Sequence, residues 1–439
     1  MKTKLFPYQQ KIVDNEKYKK GVALFMSMGC GKTITSLALA EQWNTKKLLV
    51  ICLISKMSDW QDDIKKELNI DGVILNKSFN KKAKVDNDNC YIVNFESAWR
   101  TDGLLEWVDK DTCILIDESH HIKNPTSKIG RFCDKLRKKT NYKIILTGTP
   151  QSKGYIDYYN QLKFVDILDV PYKVFTETYC VYDTQRFNGF PVKRLIGYKN
   201  EDLIEKIIKD NCVFFERSVD NDLIPSDIDV KLPTPKYYKT FKKTRIIGDY
   251  VADNSAKMFS GLRSLCSGFA GGTNVPSEKE QWFKDFIDDI NTRVVVFYNF
   301  NNERDKIIDI LTKLKIPYSE YNGRVKNLDK FKQHSNGVAV CQYLSASTGL
   351  NDLVCSNVCV MYSPPLNYTD WIQAKKRIDR IGQTKKPLYY NLYCKDTVEE
   401  NILNTMKKGL DFDNNMINDY LLNLGIDKWE HICYDYNTK

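Results

Sequence analysis

Towards both ends of the chain, short apolar runs alternate with segments whose apolar positions recur every three to four residues. In the first part, runs at 21–26, 47–54, 90–94, 112–116 and 142–146 read as strands, with helices at 32–43 and 58–68. In the last part, strands are expected at 293–298, 337–341, 357–362 and 388–393, with helices at 302–314 and 370–381. A near-continuous apolar strand belongs in a parallel sheet with both faces covered by helices. The pattern therefore predicts two α/β halves. Residues 151–279 differ: they are rich in Tyr, Phe and Lys, with helical pieces at 155–165, 201–210 and 236–247. A Gly-rich stretch at 267–276 reads as a linker. Tyr237, Tyr238 and Phe241 suit either base stacking or the core of a small helical insertion, and core is the better reading.

Chemistry sits where strand patterns end. Ser27-Met-Gly-Cys-Gly-Lys-Thr33 follows the first strand and opens a helix. Gly29 and Gly31 let the backbone curl closely around phosphates, and the loop N–H groups with the helix N-terminus form an anion cradle. Lys32 then reaches the β- and γ-phosphates, and the Thr33 hydroxyl suits Mg²⁺. The strict G-x-x-x-x-G-K-[ST] pattern is broken, because Met26 occupies the place of its first Gly. At 113–120 an apolar strand ends in two adjacent carboxylates. Carboxylates at the C-terminal edge of a parallel strand face the ligand crevice. Asp117 is expected to hold Mg²⁺ and Glu118 to orient or deprotonate the attacking water. A third strand ends in Thr-Gly-Thr-Pro at 147–150. Near the end, Gln373, Arg377 and Arg380 fall at i, i+4 and i+7, so a helix would place them on one face. Two arginines so placed serve either a solvated surface, a nucleic-acid contact or a transferring phosphoryl group.

Taken in order, Gly-Cys-Gly-Lys-Thr at 29–33, Asp-Glu-Ser-His at 117–120, Thr-Gly-Thr-Pro at 147–150 and the 373–383 run resemble motifs I, II, III and VI of superfamily 2 helicases. Finer details are similar to the SNF2 branch: Leu-Phe-Pro-Tyr-Gln at 5–9, the extension of motif II through Asn124, 294–297, 321–323, Ser345 to Asn351, and Arg-Ile-Gly-Gln ending at Gln383. The resemblance covers about 5–402 and is weakest in the middle. It implies an α/β chain of two tandem RecA-like lobes with parallel sheets: lobe 1 over 1–165, a mostly helical insertion and linker over 166–279, and lobe 2 with a helical tail over 280–439. It also implies ATP and Mg²⁺ as cofactors. Gln9 would read adenine; Gly29, Cys30, Gly31, Lys32 and Thr33 would hold phosphates, with Gly349 and Gln373 contributing from lobe 2. Arg377 and Arg380 would reach the γ-phosphate. Nucleic acid would cross Lys56 and Trp60 in the first lobe and Ser345 and Ser347 in the second. The chain departs from the family at Met26-Ser27, where Asp-Glu is usual, at DESH for DEAH, at Ala346-Ser-Thr-Gly349 with fewer glycines, and at Asp379, where His is common. None of these removes a catalytic group.

Composition adds less. At 439 residues the chain has room for two or three domains of roughly 150 residues each. Hydrophobic residues at 42% and charged residues at 28% describe a soluble globular chain, and no run reaches the ~20 apolar residues of a membrane helix. The first ten residues have no apolar stretch behind their lysines, so no signal peptide is expected and the location reads as cytoplasmic. A net charge of +10 suits a polyanionic partner. The 13 cysteines are mostly single residues in apolar runs, which reads as buried free thiols rather than a zinc site. Three functions follow: a monomeric motor on double-stranded DNA, a strand-separating DNA or RNA helicase, and an ATP-gated nucleic-acid scaffold. With no targeting appendage visible, DNA structure or a protein partner would direct any of them.

Overall fold

The structure, a computed structural model, describes residues 1–75, 85, 89–187, 190–216, 223–345, 351–380 and 382–423. The chain falls into two compact units, Met1–Ser218 and Val219–Lys439.

The first unit carries β1 (Gly21–Met26), β2 (Lys47–Cys52), β3 (Val73–Leu75), β4 (Cys90–Asn94), β5 (Thr112–Asp117), β6 (Tyr142–Thr147), the hairpin β7 (Cys180–Phe187) and β8 (Phe190–Tyr198), and β9 (Cys212–Phe215). Seven of these form one sheet in the order β3-β4-β2-β5-β6-β1-β9, and every pairing in it is parallel. The apolar runs lack alternation because both faces are buried. Along β1, Ala23 and Phe25 enter one core while Val22, Leu24 and Met26 enter the other.

The second unit carries β10 (Ser226–Leu232), the small ribbons β11 (Ile246–Ile247) with β12 (Tyr250–Val251) and β13 (Phe269–Ala270) with β14 (Thr273–Asn274), then β15 (Val294–Tyr298), β16 (Tyr318–Tyr321), β17 (Val338–Gln342), β18 (Val358–Met361) and β19 (Leu388–Cys394). Its six-stranded sheet runs β10-β19-β18-β15-β17-β16, again all parallel. Along β15, Val295 and Phe297 enter one core, and Val294, Val296 and Tyr298 enter the other. Both halves are thus the parallel, helix-covered sheets that the pattern predicts.

The stretch 166–279 is organised differently from the expected insertion. Its β9 closes an edge of the first sheet, and its β10 opens the second unit. β9 is too short to show a period. β10 reads Ser-Asp-Ile-Asp-Val-Lys-Leu, the polar–apolar alternation of an edge strand with one wet face. The Gly-rich 267–276 does not behave as a linker, since Phe269 and Ala270 are buried beside the helix Ser255–Cys266. Tyr238 and Phe241 are wholly buried in that core, whereas Tyr237 is 39% exposed. Among the described residues no helix is long and apolar enough to cross a membrane. Cys266, Cys394 and Glu399 lie within 4.8 Å of one another, but Glu399 is engaged by the buried ammonium of Lys279 at 2.5 Å.

Candidate functional site

β1 ends at Met26, and the chain turns through 27–31 into the helix Lys32–Gln42. Gly29 and Gly31 have φ of 80° and 69°, which L side chains rarely adopt. At Gly31 space adds a second constraint, because a Cβ there would lie 2.2 Å from Gln9 Nε2. Gln9 comes from the helix Pro7–Glu16. Its Oε1 accepts the Phe6 N–H at 2.9 Å, and its Nε2 donates to Gly31 O at 3.4 Å. Tyr8 donates its hydroxyl to Cys30 O at 3.1 Å and stacks on Phe215 with centroids 4.2 Å apart. Phe215, at the end of β9, accepts the Ser27 N–H at 2.9 Å. The first helix and the edge strand therefore hold the loop from two sides. Lys32 Nζ lies inside the curl, donating to Met26 O at 2.9 Å and Ser27 O at 3.3 Å, where an anion held by the loop would compete for it.

β6 lies between β1 and β5, so the loops after these three neighbouring strands emerge side by side, with Phe25 opposite Thr147 and Leu146 opposite Asp117. Asp117 Oδ1 accepts the Glu118 N–H at 3.0 Å, and Oδ2 accepts the indole N–H of Trp60 at 3.0 Å. Burial, then the neighbouring Glu118 charge, push the Asp117 carboxyl up; the Trp60 bond and the charges of Lys32 and Lys56 pull it back. Glu118 has φ of 52°, a left-handed backbone that few non-Gly residues adopt. Its Oε2 accepts the Thr147 hydroxyl at 3.3 Å, and His120 Nδ1 lies 3.1 Å from Thr147 Oγ1. Burial depresses His120 to about 3, so the ring is neutral. With Thr147 donating to Glu118, the consistent tautomer has His120 Nδ1–H donating to Thr147. Thr147 of the third motif thus orients Glu118.

The Trp60 expectation is corrected. Its side chain is 2% exposed in the core beneath the phosphate loop, spent on Asp117, and cannot contact nucleic acid. The error arose because Trp60 sits on an amphipathic helix, Met57–Leu68, whose buried face it shares with Met57 and Ile64. Lys56, at the start of that helix, pairs with Asp59 at 2.8 Å. In the second unit, Ser345 ends the turn Tyr343–Ser345; Ser347 and Gly349 lie outside the described residues.

The helix expected over 370–381 runs instead from Tyr368 to Lys375. Arg377 and Arg380 follow it in turns, so they do not share a helix face with Gln373. Gln373 and Arg377 are 5% and 3% exposed. Arg380 is half-buried, and desolvation holds its guanidinium below the usual range. Around the helix end, Tyr389 donates its hydroxyl to Lys375 O at 2.7 Å, and in the turn beyond it Gln383 Nε2 donates to Ile378 O at 3.0 Å. Gln383 also reaches Ser356 O at 2.8 Å and Val354 O at 3.2 Å, while its Oε1 accepts the Thr384 and Lys385 N–H groups, each at 3.0 Å. Its anchoring role was missed; it stood in the motif as one polar residue after a Gly.

A Gly-Lys-Thr loop between a parallel strand and a helix, with paired carboxylates on a nearby strand, defines a P-loop nucleotide-binding fold. Residues 10–186 match the SNF2-related domain and residues 278–382 match the helicase conserved C-terminal domain. The chain belongs to the SNF2-like branch of the superfamily 2 helicases. It is similar, at 24% identity over 93% of its length, to the CHD3-type chromatin-remodeling factor PICKLE of Arabidopsis thaliana, covering 34% of that protein. At 24% over 92% it is similar to the SWI/SNF-related regulator of chromatin subfamily A-like protein 1 of Drosophila melanogaster, covering 54% of it. The chain thus spans about a third to a half of these relatives. The SWI2/SNF2 ATPase core of Sulfolobus solfataricus, solved in complex with dsDNA, is 22% identical with a TM-score of 0.46, covering 95% of this chain and 93% of that one.

Proposed function

We propose that the chain is an ATP-hydrolysing motor that moves along double-stranded DNA. The observation that carries the reading is the grouping at the C-terminal edge of β1, β6 and β5: Lys32 inside the loop curl, Asp117 fixed by Trp60, and Glu118 oriented by Thr147 and His120. The oxygen donors Thr33 and Asp117 suit a hard cation, and Asp117 keeps lone pairs beyond its two N–H partners. Bound there, Mg²⁺ offsets charge on the β- and γ-phosphates. The chain's own residues do the rest. Lys32 takes the phosphates in exchange for its loop carbonyls. Gln9, which bonds Gly31 O, would read the adenine. Glu118 accepts a proton from the attacking water or orients it. Arg377 and Arg380 would supply positive charge to the γ-phosphoryl oxygens. The SNF2-related match and the net charge of +10 support duplex DNA as the track.

ATP turnover measured with and without duplex DNA tests this. DNA should raise turnover severalfold, and Glu118→Gln should abolish turnover while ATP still binds. An unchanged rate with DNA would sink the translocase. Turnover that survives in Glu118→Gln would sink the role given to that carboxylate.

A strand-separating activity has one observation in its favour. The hairpin β7–β8 forms a sheet of its own, joined to the first core near its base through Leu195 and Tyr198. Such an element is shaped to part strands, and displacement of a labelled strand from a fork distinguishes the two readings.

A further inference from the structure

We propose that Asp227 is a positioning residue for the turn that carries Arg377 and Arg380, acting through Lys375; this role rests on reading those arginines as phosphate-neutralising groups. Asp227 lies on β10, outside both matched stretches 10–186 and 278–382.

The turn needs an external anchor. After Lys375 the helical ladder becomes irregular: Lys376 N–H reaches Ile372 O at 2.9 Å, Arg377 N–H reaches Ala374 O at 3.1 Å, and Lys375 O is shared by the Ile378 and Asp379 N–H groups at 3.3 and 3.4 Å. A single irregular turn of this kind has little intrinsic stability. Lys375 is its last helical residue and is held at both ends. Its carbonyl accepts the Tyr389 hydroxyl at 2.7 Å. Its ammonium lies over the rings of Trp371 and Tyr389, 4.2 and 4.7 Å from their centroids, and contacts both oxygens of Asp227 at 2.6 Å. Asp227 is itself fixed, because its Oδ1 accepts from Asn391 Nδ2 at 3.0 Å.

The register explains the assembly. β10 pairs with β19 so that Asp227 lies opposite Tyr389 and Asp229 opposite Asn391. Residues two apart share a face of the sheet, so Asp227 and Tyr389 meet Lys375 from one side, with Asn391 on the same face bonded to Asp227. The Lys375 side chain is 12% exposed, and burial holds its ammonium below the usual lysine range despite Asp227. A cation so placed depends on its carboxylate, and without it the ammonium is driven towards water, taking the last helical turn with it. Ten residues, 216–225, connect β9, whose Phe215 holds the phosphate loop, to β10. The brace on the arginine turn is therefore built at the point where the chain enters the second unit.

The test uses the full chain with duplex DNA and the isosteric variant Asp227→Asn. Turnover per enzyme should fall about tenfold with the KM for ATP within about twofold, as expected for misplaced catalytic groups. Asp227→Glu should recover most of the rate. Asp227→Asn added to Arg377→Ala should cost less than about twofold more, because both act on the same step. Amide hydrogen exchange supplies a readout independent of activity: the 376–383 segment should exchange about tenfold faster in Asp227→Asn, with β2 unchanged. Wild-type turnover in Asp227→Asn, a full multiplicative loss on top of Arg377→Ala, or unchanged exchange at 376–383 would each overturn the proposal. A wild-type chain that does not hydrolyse ATP would overturn the motor reading instead, and the exchange comparison would still decide the brace.

Discussion

Trp60 donates its indole N–H to Asp117 Oδ2 at 3.0 Å. A residue on the helix that follows β2 thereby fixes the carboxylate expected to hold the metal ion. An indole donor orients Asp117 without neutralising it, and it blocks one lone pair on Oδ2, which biases a cation towards the remaining ones.

Trp60→Phe keeps an aromatic ring but removes that donor and leaves space where the rest of the indole was. We expect a stability loss of about 2 kcal/mol in urea denaturation, from the lost hydrogen bond and the cavity together. Turnover should fall severalfold, because Asp117 is free to rotate. Affinity for duplex DNA, followed by fluorescence anisotropy, should stay within about twofold of wild type, since the ring never faces the track. A large loss of DNA binding with unchanged turnover would restore Trp60 to a surface role.

Gly31 carries two constraints that can be separated by mutation. Its φ of 69° disfavours any side chain, by about 1–2 kcal/mol for an L residue, and a Cβ would meet Gln9 Nε2 at 2.2 Å. Gly31→Ala should weaken ATP binding by at least about tenfold. Adding Gln9→Ala removes the collision but keeps the backbone strain, so the pair should bind ATP better than Gly31→Ala alone. Titration with a fluorescent ATP analogue measures both. If the double variant is worse than either single one, Gln9 contributes more to the nucleotide than to the fit of the loop.

That the motifs of the first unit meet at one sheet edge was legible because they are local in sequence: 29–33, 117–118 and 147 each sit at a strand end, and parallel pairing brings strand ends together. Trp60 was misread because the resemblance assigns a nucleic-acid contact to the whole 55–60 segment, whereas the period of the helix puts Trp60 on its buried face. Gln383 and Asp227 were illegible for another reason. Their partners are backbone carbonyls and a lysine brought near by the register of β10 on β19, and that register has no local signature in the sequence. The arginine helix was drawn too long because no Pro or Gly within it marks where it ends.

Acid stability should depend on His120. Burial depresses its pKa from 6.5 to about 3. Between these values the unfolded chain binds a proton that the folded chain does not. The contribution is therefore fully present above pH 6.5 and is lost as pH falls towards 3, by about 1.4 kcal/mol per pH unit for one group. His120→Gln lacks this titration. The stability difference between pH 7 and pH 5.5, from chemical denaturation, should be smaller in the variant by about 1 kcal/mol, because only the unit below pH 6.5 contributes. An equal difference in both proteins would mean that the ring is accessible to protons in the folded state.

Gln383 allows a charge-sensitive test of how the arginine turn is held. Its one amide group donates to Ile378, Ser356 and Val354 carbonyls, at 3.0, 2.8 and 3.2 Å. Gln383→Ala leaves these acceptors without that donor and should cost about 1–3 kcal/mol. Gln383→Glu is worse at neutral pH, because a carboxylate has no proton to give and faces three carbonyl oxygens. Those oxygens disfavour its charged form and raise its pKa, and once protonated it regains one donor. As pH falls from 7 towards 5, Gln383→Glu should therefore gain stability relative to Gln383→Ala, with turnover following the same trend. Denaturation of the two variants across that range gives the answer directly: a gap that does not narrow on acidification would show that Gln383 is not holding those carbonyls.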